Sequence, residues 1–146
     1  MMFAVKEIAP EMTYGIRHEV LRPHQSLKDC IYDTDFMDGS FHVGLFHDEN
    51  LISIASFNLE NHPLFKSDKQ YHLRAMATLP SYRNMGAGRA VIAYAEEKLK
   101  LNGFELIWCN GRTNVQGYYE KLGFKLCGEI FDYPGLGPHI VMYKEV

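Results

Sequence analysis

The chain has 146 residues, a length that one hydrophobic core can organise, so a single domain spanning 1–146 is expected. With 47% hydrophobic and 23% charged residues it has apolar surface to bury, which excludes a mainly disordered chain. A net charge of −3 gives no electrostatic drive toward nucleic acid or an anionic membrane, and neither is expected as a partner.

"FAVKEI" alternates well enough for a first strand. Pro10 then opens "EMTYGIRHEVL", where Ile16, Val20 and Leu21 recur at helical spacing until Pro23 ends the run. "QSLKDCIYDTDFMDGS" reads as a loop with at most a short helix, closing on the turn pair Asp38-Gly39. "SFHVGLFHD" and "LISIASFNLE", joined by "DEN", predict a β-hairpin. "YHLRAMATL" predicts a strand stopped by Pro80, and Ala87 to Asn102 a helix with Val91, Ile92, Ala95 and Leu99 on one face. Glu96 and Lys100 stand at i, i+4 on the other face, and Gly103 suits the left-handed C-cap. "FELIWC" (104–109) is a further strand, "TNVQGYYEKL" a short helix closed by Gly123. "FKLCGEIFDY" and "HIVMYKEV" form a last strand pair around "PGLGP".

The strand to Leu79, the helix and the strand from 104 make a crossover joining parallel strands, while the flanking hairpins require antiparallel neighbours. The expected fold class is therefore α/β of the mixed α+β kind. It has one mixed, mostly antiparallel sheet of six to seven strands, with a central parallel strand–helix–strand unit and flanking helices. Three cysteines without C-x-x-C spacing fit a reduced, cytoplasmic setting. No apolar run is long enough to span a bilayer, the N-terminus lacks a secretory pattern, and the seven histidines form no metal-ligand spacing, so no metal is expected.

"PSYRNMGAGRAV" (80–91) sits where the first crossover strand turns into its helix. The first N–H groups of a helix lack intrahelical partners and the dipole there is positive, so an anion is the natural occupant. Gly86 and Gly88 permit close approach and positive φ, and Arg83 and Arg89 add full charges. The pattern is neither a P-loop, which needs a following lysine, nor the dinucleotide fingerprint, whose third glycine position is Val91.

R-N-M-G-A-G after "MATLP" resembles the R/Q-x-x-G-x-G/A signature of the GCN5-related N-acetyltransferases (the GNAT superfamily), and "YYEKLGFK" (118–125) resembles that family's second recurrent segment. The resemblance covers essentially the whole chain. It implies an acyltransferase that takes acetyl-CoA as acyl donor, with no metal, and passes the acetyl group directly to a primary amine of a small molecule or peptide. By the same resemblance Met76, Ala77 and Thr78 would lie along the pantetheine arm. Arg83, Asn84, Met85, Gly86, Ala87, Gly88 and Arg89 would hold the pyrophosphate. Tyr119 would protonate the departing thiolate, and Tyr118 beside it is expected in the core.

Where many members have a cofactor-contacting asparagine seven residues before that tyrosine, this chain has Arg112. Asn114 is the substitute for that role, with Asn110 the other nearby amide, and Arg112 a partner for a CoA phosphate. The general base stays open among His72, Glu105, Glu129, His139 and water. Asp33, Asp35 and Asp38 read first as a solvated loop and second as an acidic rim for an amine. The acceptor and pairing into a homodimer stay open too, and the competing reading is a non-catalytic acyl-CoA-binding domain.

Overall fold

The centre of the molecule is a strand, β4 (Gln70–Thr78), whose chain passes a short 3-10 turn and enters helix α2 (Ala87–Leu101) before returning as β5 (Leu106–Arg112). The computed structural model describes residues 2–146. Ahead of this unit stand β1 (Phe3–Ile8), β2 (Phe41–His47) and β3 (Asn50–Asn58); after it come α3 (Gln116–Lys121), β6 (Lys125–Tyr133) and β7 (Gly137–Glu145). All seven strands join one sheet in the order β1-β2-β3-β4-β5-β7-β6, and only β4 and β5 are parallel. The mixed sheet of six to seven strands expected from the sequence is thus present.

α2 lies on one face of that sheet. Val91, Ile92, Ala95 and Leu99 are buried against Val43, Leu45, Phe57 and Leu73. Burying a large aliphatic side chain is worth about 1.5–3 kcal/mol, so packing readily outweighs the ~1 kcal/mol that a glycine costs the helix at its start. The helix ends in a Schellman arrangement: Phe104 N–H donates to the Leu99 carbonyl at 2.9 Å, and Gly103 N–H to that of Lys100 at 3.2 Å, with Gly103 at φ +81°. Glu96, expected to pair with Lys100, instead accepts from Lys144 Nζ of β7 at 2.9 Å. A fixed partner projecting from the sheet displaces a mobile neighbour on the same helix.

The opposite face is covered by the N-terminal segment. The helix anticipated there is irregular: a 3-10 turn (Pro10–Thr13), one α-helical turn, α1 (Tyr14–Ile16), and a π-helical turn (Arg17–Leu21). The wide turn begins at Arg17, whose guanidinium is fully buried. Its two terminal nitrogens donate to the Asp35 carboxylate at 2.7 and 2.8 Å, and also reach the Cys30 carbonyl (2.9 Å) and Ser56 Oγ (2.7 Å). Asp35 is therefore a buried anchor, not a solvated loop residue, whereas Asp33 and Asp38 are exposed.

Two irregularities shape the sheet around the site. β4 carries an extra residue opposite β3, because Ser56 faces Ala75 while Phe57 faces Leu73, leaving Arg74 as a bulge. β4 and β5 pair over only three positions, Gln70 to His72 against Leu106 to Trp108. Beyond His72 the two strands part, and the β5-facing edge of β4 has no strand partner up to Thr78. β5 also runs further than the 104–109 span predicted for it. Asn110, Gly111 and Arg112 stay paired with β7, where Gly111 faces Ile140 and Arg112 faces His139.

Candidate active site

The parting of β4 and β5 opens a cleft of about 1190 Å³ whose lining draws residues from both faces of the sheet. The face on the α2 side is built mainly from main chain. Gly86 is the N-cap of α2 at φ +80°, and it offers no capping side chain to the first N–H groups of the helix. A Cβ built on Gly86 would meet nothing, so the space in front of these groups is open to a ligand. Asn84 also has positive φ, at +63°, which curls the 83–86 backbone toward the cleft. Arg83, Asn84, Gly86, Ala87, Gly88 and Arg89 all line it, as do Met76, Ala77 and Thr78 of β4 and Asn114 in the turn before α3. Met85 points away, more than half exposed and outside the lining.

Gly88 has a second reason to be glycine. A side chain there would collide with the hydroxyl of Tyr118, which lies over the first turn of α2. Tyr118 is 46% exposed, so it is not the packed aromatic expected from the sequence. Tyr119 is the more enclosed of the two: it packs edge-on against Phe124, and its ring rests on Gly111 at the end of β5. Both tyrosines line the cleft. Burial raises the Tyr119 hydroxyl above the usual tyrosine range, with neighbouring Cys109 and Tyr118 adding and Arg112 opposing. A tyrosine so placed is fully protonated at neutral pH and available as a proton donor.

The other face is made of ionisable side chains. Because the Cβ position of Gly111 looks toward Met142 and Tyr119, strand alternation sends Asn110 and Arg112 to the opposite face, together with His139, the cross-strand partner of Arg112. His72 joins them from β4, stacked on Trp108 with ring centroids 3.8 Å apart. Val20, Leu21, Arg22, Tyr32 and Asp33 close this side from the N-terminal segment. The sequence already offers this segment as a rim for an amine through Asp33, which does line the cleft; that Val20, Leu21, Arg22 and Tyr32 stand beside it is visible only in the fold.

The four base candidates separate clearly. Glu105 sits at the far end of β5, hydrogen-bonded to Ser67 Oγ at 2.8 Å, and Glu129 lies exposed on β6; neither lines the cleft. His72 does line it, but burial, with help from Arg74 and against the pull of Glu60, lowers its pKa to about 4. His139 is buried and lines the cleft. Its Nδ1 lies 2.8 Å from the Gly137 carbonyl, which can only accept, so Nδ1 carries the proton and Nε2 of the neutral ring keeps a free lone pair. No group of three or more acidic, histidine or cysteine side chains suited to a metal ion occurs among the described residues.

An open, uncapped helix start stands beside an unpaired strand edge, with titratable side chains across the opening. The acetyltransferase (GNAT) family profile matches residues 4–124. The chain belongs to that family. YitI of Bacillus subtilis (strain 168), described as an uncharacterized N-acetyltransferase, is 54% identical over 143 residues, covering 98% of this chain and 96% of its own. The fold is shared with the ribosomal-protein-S18-alanine N-acetyltransferase of Escherichia coli, with a TM-score of 0.79 at 18% identity over 99% and 94% of the two chains. It is shared equally with an aminoglycoside 6'-N-acetyltransferase complexed with coenzyme A, with a TM-score of 0.78 at 13% identity over 97% and 96%. The family makes this protein an acyltransferase, while those two acceptors, a protein and an aminoglycoside, are so unlike that the fold does not specify one.

Proposed function

We propose that this acyltransferase moves the acetyl group of acetyl-CoA directly onto a primary amine of a small molecule or peptide, with Tyr119 as general acid and His139 as general base. The observation that carries the reading is the two-sided cleft: an open, uncapped helix start on one face of the sheet and a lone-pair-bearing histidine on the other. Acetyl-CoA supplies an activated acyl group, and its fit rests on the open space at Gly86, the uncapped N–H groups of α2 and the unpaired edge of β4.

An alkyl ammonium has a pKa of about 10.4, so the acceptor must lose a proton before its nitrogen can attack. Nε2 of His139 takes that proton. A C–N bond forms as the C–S bond breaks, and a backbone N–H of the Met76–Thr78 stretch stabilises charge building on the carbonyl oxygen. Tyr119 gives its phenolic proton to the leaving sulfur; of the two protons that the acceptor nitrogen sheds through Nε2 of His139, one restores Tyr119 through solvent and the other is released to solvent. A group whose pKa is raised by burial suits the donor role, and His72, held near 4, is too weak a base to compete at neutral pH.

Continuous measurement of CoA release over a panel of amines tests the proposal. Tyr119→Phe should lower kcat roughly 100-fold or more with little change in the KM for acetyl-CoA. Full activity of that variant would remove Tyr119 as the acid. Tight acetyl-CoA binding without turnover for any amine would favour the non-catalytic acyl-CoA-binding reading.

A further inference from the structure

The acceptor side of the cleft carries an unbalanced charge. Arg22, Arg74 and Arg112 line it, with Asp33 as the carboxylate among the lining residues. Arg74 is already matched: it lies 3.1 Å from Glu60 Oε1, and its Nε donates to Asn58 Oδ1 at 3.2 Å. Arg22 donates only to neutral groups, the Tyr32 hydroxyl at 3.0 Å and Gln25 Oε1 at 3.4 Å. Arg112 is half-buried in the cleft, and its guanidinium has neither an ion pair nor a hydrogen-bond partner among the described residues. Elsewhere the chain matches its enclosed guanidinium groups with carboxylates, as at Arg17 with Asp35.

An amine reaches an enzyme as an ammonium, and two uncompensated guanidinium groups in the same cleft as the base would repel it. The same groups would attract an amine that also carries a negative charge. Arg112 stands directly across from His139 in the β5–β7 register, so an anion held by its fork would bring an amine a few bonds away to Nε2. We infer that the acceptor is an amine bearing its own carboxylate or phosphate, with Arg112 as the partner of that anion and Arg22 as a second charge at the rim. This rests on the acetyl-transfer reading. It also assigns Arg112 to the acceptor, not to a CoA phosphate, since the cradle lies on the other face.

Matched acceptors at saturating acetyl-CoA test it: β-alanine against β-alaninamide for a carboxylate, and O-phosphoethanolamine against ethanolamine for a phosphate. The anionic member of at least one pair should be preferred by roughly 10- to 100-fold in kcat/KM, as expected for a charge-assisted bidentate contact. In Arg112→Gln that ratio should collapse toward one, through KM for the acceptor, with Arg112→Lys keeping part of it. Equal or better use of the neutral members overturns the inference, and so does a raised KM for acetyl-CoA in Arg112→Gln.

If no acceptor turns over, N-acetyl-β-alanine and its amide are titrated into the CoA-saturated protein. Arg112-dependent binding of the acid alone would uphold the anion site while acetyl transfer failed. Absence of such binding would overturn the site, and acetyl-CoA titration judges the transferase reading separately.

Discussion

The two faces of the cleft are built by different means. The α2 face uses backbone: an uncapped helix start, a glycine at φ +80° and a strand edge without a partner. These features lie within a single stretch from Met76 to Arg89. The opposite face uses side chains drawn from the N-terminal segment, β4, β5 and β7, and it stands only if a buried ion pair holds the segment down. A shared cosubstrate can be met by a constant main-chain device, while an acceptor particular to each enzyme is met by side chains that can change without disturbing it. Damage to one face should therefore spare the other.

The largest effect should come from breaking the anchor of the acceptor face. Arg17→Met leaves the Asp35 carboxylate buried beside His42 and Ser56 without its cation, at a cost of about 3–5 kcal/mol. Urea unfolding should report that loss, and Arg17→Met/Asp35→Leu should recover much of it. Acetyl-CoA affinity measured on the remaining folded protein should be unaltered. If that affinity fell in step with stability, the two faces would not be independent.

Gly86→Asp should do the converse. An aspartate at positive φ is strained, and its charge would stand where an anion is to bind. Isothermal titration should show acetyl-CoA affinity down by roughly 100-fold, equivalent to about 2.7 kcal/mol, with the thermal midpoint lowered by only the few degrees that the backbone strain costs, because no packed atom occupies that space. Unchanged affinity would mean that the cradle is only a turn.

This contrast also explains what could be read from sequence. The crossover, the order of elements and the cradle were legible because each rests on residues adjacent in the chain: an apolar period, a proline, two glycines. The opposite face was legible only in part: Asp33, His72, Arg112 and His139 each stand out singly in the sequence, but they meet only through long-range pairing. Asp35 looks like one of three loop aspartates until Arg17, eighteen residues earlier, is found against it. Arg112 looks like a helix cap until β5 is seen to continue past Cys109 to face His139. The neighbouring tyrosines show the same limit at closest range. Sequence favours Tyr118 for the core, yet it lies across the first turn of α2 while Tyr119 is the one enclosed, packed edge-on against Phe124.

The smallest effect concerns His72, which belongs to the acceptor face by position but not by chemistry. Its ring is sandwiched on Trp108, and burial is the main reason it titrates near 4. In the unfolded chain an unhindered histidine titrates near 6.5. Between those values the unfolded state binds a proton that the folded state refuses, so stability falls as pH is lowered through that window and is unaffected above about pH 7. The loss between pH 7.5 and pH 5 should be roughly 2 kcal/mol for this group, read as a drop in the urea midpoint. His72→Phe should flatten that part of the profile. The pH dependence of kcat should keep its shape in the same variant if His139 is the base, because His72 then takes no proton from the acceptor. A flattened activity profile would move the proton-accepting role from β7 to β4, and the assignment of this face would have to be redrawn around the Trp108 stack.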